Sequence, residues 1–225
     1  MNFFKYLIVV VLLPFLLFEL ALAEELVEAA DELVVVIPSN YPPYYIVDDN
    51  NEPDGFAINV FEAVASRAGL QYRYVIKQNW TDVCNALKNG SADVIPILGR
   101  TKKRQQDIIF TSAVETFPLS IFVRESNVDI HKPDDLDDHD IAIVQDECGN
   151  HFLSERKKIS LSRFSSFEIA FQALLSGQSD AMVYPQTVML NIVNEYGLRD
   201  KIRVISPPLV EVKLGMAVHK TATEL

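Results

Sequence analysis

The spacing of apolar residues changes from segment to segment along this chain, and each change marks an element. Leu33 to Ile37 is an unbroken apolar run rich in β-branched residues, the signature of a buried parallel strand, and Pro38 ends it. Ala57, Val60, Phe61, Val64, Ala65 and Ala68 recur at helical spacing, with Gly69 placed to stop the helix. Tyr72 to Ile76 reads as a second strand. Asn79 is set to cap a helix whose apolar stripe is Trp80, Val83, Cys84 and Leu87. Asp93 to Leu98 predicts a third strand, and Ile108 to Phe110 and Phe117 to Val123 predict extended segments. Beyond Glu125 the pattern restarts. Ile141 to Val144 is a buried strand, followed by a loop from Gln145 to Gly149. Ser165 with Glu168 reads as a capping box ahead of a helix ending at Gly177. Asp180 to Tyr184 is a strand, Val188 to Tyr196 a helix stopped by Gly197, and Leu214 to His219 a late strand.

One phrase occurs twice. Ala86 to Ile95 and Ala173 to Met182 share the pattern A-L-x-x-G-x-x-D followed by an apolar run. Physically it describes a helix stopped by Gly in the left-handed conformation, a tight loop and a buried strand. Two copies predict two lobes of one design with a cleft between them. Strands alternating with helices make each lobe an α/β unit with a mainly parallel sheet flanked by helices.

Composition narrows the class. The chain has 225 residues, is 49% hydrophobic and 23% charged, and carries a formal net charge of -11. It is a globular chain without the clustered cations that nucleic acid needs. Lys5, the apolar stretch Leu7 to Phe18 and Ala21-Leu22-Ala23 make residues 1–23 a signal peptide with a small-x-small cleavage pattern, which predicts export to the periplasm. The mature chain then divides into a first lobe over 24–123 and a second over 124–212, with the late strand in 213–225. Only two cysteines occur, Cys84 in the first lobe and Cys148 in a loop of the second. A bridge would staple the lobes shut, so two free thiols are expected. The Asp-rich segment 129–140 lacks the ligand spacing and the Gly of an EF-hand loop and reads as a solvated connector. No metal spacing, phosphate loop or nucleophile elbow is present, so no cofactor is expected.

In such sheets ligands gather outside the carboxyl ends of the strands. That rule selects the loops after Ile37, Leu98, Val144 and Tyr184. The first offers Tyr41, Tyr44 and Tyr45. Pro42-Pro43 should pin Tyr41 outward, whereas Tyr45 is as consistent with the core. The second runs from Gly99 through Thr101 to Arg104. Gly99 lets a ligand approach the backbone, and either Arg100 or Arg104 could hold a carboxylate with its planar donor fork. The third carries Asp146, Glu147 and Cys148. Asp146 reads as a helix cap, while Glu147 could cap the helix or accept a ligand cation.

Taken in order, Tyr41-Pro42-Pro43-Tyr44, Gly55 to Asn59, Leu87 to Asp93, Thr101 to Arg104, Phe110-Thr111, Gly177 to Asp180 and Gly215 to Val218 resemble the family 3 extracellular solute-binding proteins, the periplasmic amino-acid-binding type. The resemblance covers nearly all of the mature chain and implies the two-lobed periplasmic-binding-protein fold closing on a small solute. It places Tyr41, Tyr44 and Trp80 on the ligand, makes Arg104 rather than Arg100 the grip on a carboxylate, and puts Glu147 and Cys148 on the opposing loop. It leaves Gly99 where many members carry a hydroxyl. Leu98, Thr101 and Tyr184 belong to the same strand exits. Pro185 and Pro38 stand where amino-acid binders of this type have acids, and Asn59 stands for the usual Asp. A carboxylate-bearing or aromatic solute is therefore expected over an ordinary amino acid. The chain ends at Thr223-Glu224-Leu225, where the family continues with helices, which suggests a fragment or the front of a longer receptor.

The function implied is non-enzymatic binding of a small molecule, passed to a membrane permease for ABC-type uptake. The alternative is the ligand-sensing module of a membrane-anchored sensor kinase or diguanylate cyclase. A dehydratase-like enzyme ranks last, since it would need Glu147 as a general acid.

Overall fold

The computed structural model describes residues 32–154, 156 and 158–220. The expected signal peptide and the C-terminal residues 221–225 lie outside the described residues. Among the described residues no helix is long and apolar enough to cross a membrane.

The elements in chain order are β1 (Leu33–Pro38), β2 (Asn40–Tyr41), β3 (Tyr45–Val47), β4 (Pro53–Asp54), α1 (Phe56–Ala68), β5 (Tyr72–Lys77), α2 (Trp80–Lys88), β6 (Val94–Gly99), β7 (Ile108–Phe110), β8 (Glu115–Arg124), β9 (Asp140–Val144), α3 (Cys148–Leu153), β10 (Ser160–Phe164), α4 (Phe167–Ser176), β11 (Ala181–Pro185), α5 (Gln186–Glu195) and β12 (Ile202–His219). The large sheet runs β10-β9-β11-β8-β12-β6-β1-β5, with β7 also on β12, and β2-β3-β4 form a small sheet of their own. Parallel pairs lie at both flanks, β1 with β5 and β6 on one side and β9 with β10 and β11 on the other. The long strands β8 and β12 pair antiparallel through the middle. β12 pairs β8 from Ile202 to Ile205, shifts register, and pairs it again from Val210 to Leu214, before passing to β6 and β7. The result is the two-lobed α/β fold expected, except that the two lobes share one continuous sheet, its parallel flanks joined through β8 and β12 and covered by helices.

The repeated phrase has one structure in both places. Gly90 and Gly177 sit at φ 75° and 82°, a conformation that costs a Cβ-bearing residue strain. After each glycine the chain folds back, with Ala92 N–H on the Ala86 carbonyl and Ser179 N–H on the Ala173 carbonyl. The Asp then pairs with the neighbouring strand. The Asp93 carboxylate accepts from Val34 N–H at 2.8 Å, and that of Asp180 from Asp140 N–H at 2.9 Å. This fastening sets the height of β6 and β11, and so of the loops at their carboxyl ends.

Several expectations change. The α4 cap is Ser166, which accepts from Ile169 N–H, so no capping box forms at Ser165. Cys148 is the first residue of α3 and not a loop residue. The connector 129–140 holds a 3-10 turn over Pro133–Leu136 and buries Ile130 and Leu136 completely, so it is packed rather than solvated throughout. β10, and the part of β12 before Leu214, carried no expectation at all. Both cysteines are buried free thiols.

Candidate functional site

The loops after β1, β6, β9 and β11 converge as the strand-exit rule requires. Tyr41, Tyr44, Trp80, Leu98, Gly99, Arg104, Glu147 and Cys148 line one enclosed space at the meeting of the lobes. About 10 Å³ remains open among them, enough for a single water at most. Their side chains fill the cleft.

The walls are aromatic. The Trp80 ring lies edge-on to Tyr41 at 5.1 Å and to Tyr45 at 6.0 Å, and Tyr184 closes on Tyr41 at 6.1 Å. Tyr41 is only 6% exposed, so Pro42-Pro43 does not turn it outward. Its ring packs on Trp80 because that burial removes two apolar faces from water together. Tyr44 is likewise buried, against Phe56 and Phe117. Tyr45 is a core residue. Its hydroxyl donates to the Ile97 carbonyl at 2.6 Å and accepts from Ile97 N–H at 2.7 Å, pinning the small sheet to β6.

Arg104 occupies the floor, 3% exposed, in a 3-10 turn over Arg104–Gln106. One terminal nitrogen donates to the Gly99 carbonyl at 2.9 Å and faces Cys148 Sγ at 3.5 Å. The other donates to the Asp146 carbonyl at 2.6 Å, across the cleft. Nε has no partner, and the guanidinium sits 6.0 Å from the Trp80 ring centre. Arg100 lies instead over Phe110 and bonds the Thr111 carbonyl, away from this space. Geometry therefore separates two arginines that spacing alone could not.

On the facing loop the capping role falls to Glu147, not Asp146. Glu147 Oε2 accepts from Cys148 N–H at 3.3 Å, while Oε1 is buried without a partner. Burial pushes this carboxyl up to about 7, against the opposing pull of Arg104. Asp146, at φ 59°, turns its carboxylate to the first lobe, where it accepts from the Thr81 hydroxyl at 2.6 Å and lies 3.9 Å from Lys103. Burial also pushes the Cys148 thiol up to about 11, so it is no reactive thiolate.

Thr101 lies beside the enclosed space rather than on it. Its hydroxyl accepts from Arg104 N–H at 3.2 Å and hydrogen-bonds His151 Nδ1 at 2.9 Å. His151 is held down at about 3, first by burial and then by the Arg104 and Lys103 charges. Tyr184 stands at a separate opening of about 60 Å³ beside Tyr41, Trp80 and Glu147. The role of Asp146 and His151 as cross-cleft partners was not legible in the sequence. A carboxylate before a helix reads first as a cap, and a lone His has no periodic signature. Among the described residues no group of His, Cys, Asp and Glu could hold a metal ion.

Known proteins share this fold. The amino-acid-binding protein AabA of Dichelobacter nodosus is 26% identical over 200 residues, which are 85% of this chain and 78% of that protein. The arginine-binding periplasmic protein of Mannheimia haemolytica is 22% identical over 195 residues, 84% of this chain and 78% of that one. A histidine kinase sensor domain with similarity to periplasmic binding proteins superposes with a TM-score of 0.78 at 25% identity, covering 86% of this chain and 85% of the domain. The family description "bacterial extracellular solute-binding proteins, family 3" matches residues 33–225, and the chain belongs to that family.

Proposed function

We propose that this chain is a non-enzymatic, periplasmic binder of a small carboxylate-bearing or amino-acid-like solute, which it delivers to an ABC-type membrane permease. The observation that carries this reading is the state of Arg104. A fully charged guanidinium lies buried at the junction of the lobes, bonded to two backbone carbonyls, and makes no ion pair among the described residues. Carbonyl dipoles compensate a buried cation incompletely, and a carboxylate would do so with stronger, charge-assisted bonds. A solute carboxylate entering between the lobes would replace the Asp146 carbonyl on Arg104, and the Tyr41 and Trp80 rings would cover its apolar part. Contact with both lobes then favours the closed arrangement. β8 and β12, the strands that continue from one lobe into the other, are the proposed hinge. The first lobe would be 24–123, the second 124–212, and 213–225 the return strand.

Titration of the protein with a panel of amino acids, other carboxylates and polyamines, followed by calorimetry and thermal shift, identifies the solute, because bound ligand raises apparent stability. Arg104→Ala is expected to cost about 2–5 kcal/mol of affinity for it. Equal binding by the variant would remove Arg104 from the site.

A second reading is the ligand-sensing module of a membrane sensor kinase or cyclase. The likeness to a histidine kinase sensor domain favours it. Deletion of the gene separates the two: loss of solute uptake supports the carrier, and loss of a solute-dependent signalling response with uptake intact supports the sensor.

A further inference from the structure

Away from the filled cleft the surface holds a groove of about 440 Å³, within the size range of small-molecule sites. One wall is the β2–β3 hairpin, through Pro42 and Ile46. The other is built by α4 and by the last turns of α5. On α4, Phe167, Phe171 and Leu175 follow one another at four-residue spacing and so line one helix face. The Phe167 and Phe171 rings stack at 5.2 Å. Tyr196, 68% exposed, stands over the end of α5. Ile46 and Leu175 are also exposed here, at 42% and 37%, so apolar side chains face water on both walls.

The charge of the groove is one-sided. Glu168 and Glu195 line it, and no Lys, Arg or His does. Neither carboxylate makes an ion pair among the described residues. Glu168 is placed favourably in the first turn of α4. Glu195 is not. It lies at the C-terminal end of α5, where the carbonyl dipoles are already negative and the last turn holds no basic residue. Such a position raises the helix energy unless a cation comes close. Tyr196, next in the chain and largely exposed, offers a ring that attracts a desolvated cation.

We propose that this groove is a second binding site, distinct from the cleft at Arg104, and that it takes an organic cation with an apolar body, an amine or quaternary ammonium compound. The apolar body lies along the Phe167, Phe171 and Leu175 face, and the cationic head sits between Glu195 and Tyr196. The proposal stands apart from the carboxylate reading of Arg104, because it uses none of the same residues.

The probe is benzyltrimethylammonium, with hexyltrimethylammonium as a second body shape and 3-phenylpropionate as an anion of similar size. Each is titrated at constant ionic strength into the parent protein, the Glu168→Gln/Glu195→Gln variant and Arg104→Ala. The mutated glutamates are exposed, so the variant keeps its fold, checked by circular dichroism. The expected result is saturable binding of at least one cation, weakened about tenfold or more in the double Gln variant, unchanged in Arg104→Ala, with no binding of the anion. Equal binding of cation and anion would reduce the groove to an apolar patch. Cation binding that survives the double Gln change, or disappears in Arg104→Ala, would place the cation elsewhere. No saturable binding of either cation would overturn the proposal outright.

Discussion

Thr101 Oγ1 and His151 Nδ1 meet at 2.9 Å, joining the loop after β6 to α3 across the cleft. The bond matters because His151 and Glu147 sit one helical turn apart on the same loop and helix yet respond to pH in opposite directions. His151 is held at about 3 against an ordinary 6.5. As pH falls below about 6.5 the unfolded chain takes a proton that the folded chain refuses, so stability is lost down to about 3. Glu147 is raised to about 7 from 4.5. Between those values the folded chain keeps a proton the unfolded chain has released, so stability is lost as pH rises. The two effects oppose each other between about 4.5 and 6.5. Urea midpoints across this range should separate them. His151→Gln should gain on the parent progressively toward low pH, and Glu147→Gln should gain progressively toward neutral pH. Parallel profiles for both variants and the parent would remove these groups as the titrating pair.

The repeated phrase makes a second prediction. Asp93 and Asp180 each accept a backbone N–H from the adjacent strand, Val34 and Asp140 respectively. The Asp180 carboxylate also lies 3.3 Å from His139 Nδ1. Replacing either Asp by Ala leaves a strand-edge N–H without its acceptor, at a cost of about 1–3 kcal/mol by chemical denaturation. Asp→Asn keeps an acceptor oxygen and should recover most of the loss. Equal damage from Ala and Asn would mean that charge, not the hydrogen bond, is what each position supplies.

That same phrase shows why so much of the fold was legible. A helix stop at a left-handed Gly, followed by a buried apolar run, depends on local chemistry that a sequence displays. The strand exits followed from it, and with them the loops carrying Tyr41, Arg104 and Glu147. The parts that stayed hidden depend on distant partners. The first part of β12 reads as Pro-interrupted and polar-dotted, and is a strand only because β8 lies alongside to pair with it. β10 is half-exposed at the sheet edge, without an alternating or continuous apolar signature. Tyr41 was expected outside because its loop is Pro-rich, but Trp80 and Tyr184 from other segments draw its ring inward. The choice between Arg100 and Arg104 likewise turns on the Asp146 carbonyl, 42 residues further on.

The thiols give a third test. Cys84 and Cys148 are both buried, and burial raises both. Neither is thiolate near neutral pH, so a thiol reagent should modify them slowly in the native protein and fully once it is unfolded. A solute that favours the closed arrangement should slow modification further. Fast reaction of either cysteine at neutral pH would indicate that the cleft opens often enough to expose it.

Gly99 and Cys148 are matched across the cleft, and the match can be measured. A Cβ placed on Gly99 would stand 2.5 Å from Cys148 Sγ, nearer than real contacts allow, and 3.3 Å from Val212. β6 ends at Gly99, whose carbonyl holds Arg104, so the backbone there cannot retreat without breaking that bond. Gly99→Ala is therefore expected to destabilise the closed arrangement by about 1–3 kcal/mol, the usual cost of overpacking. Cys148→Ala removes the sulfur that the new methyl would strike. Alone it should cost little more than the lost packing of one atom, and combined with Gly99→Ala it should restore most of the stability. The coupling energy in this double-mutant cycle should be favourable and about 1 kcal/mol or more. Additive effects would mean that the two residues do not meet, and that the lobes stand further apart at this point than the Arg104 to Asp146 hydrogen bond of 2.6 Å implies.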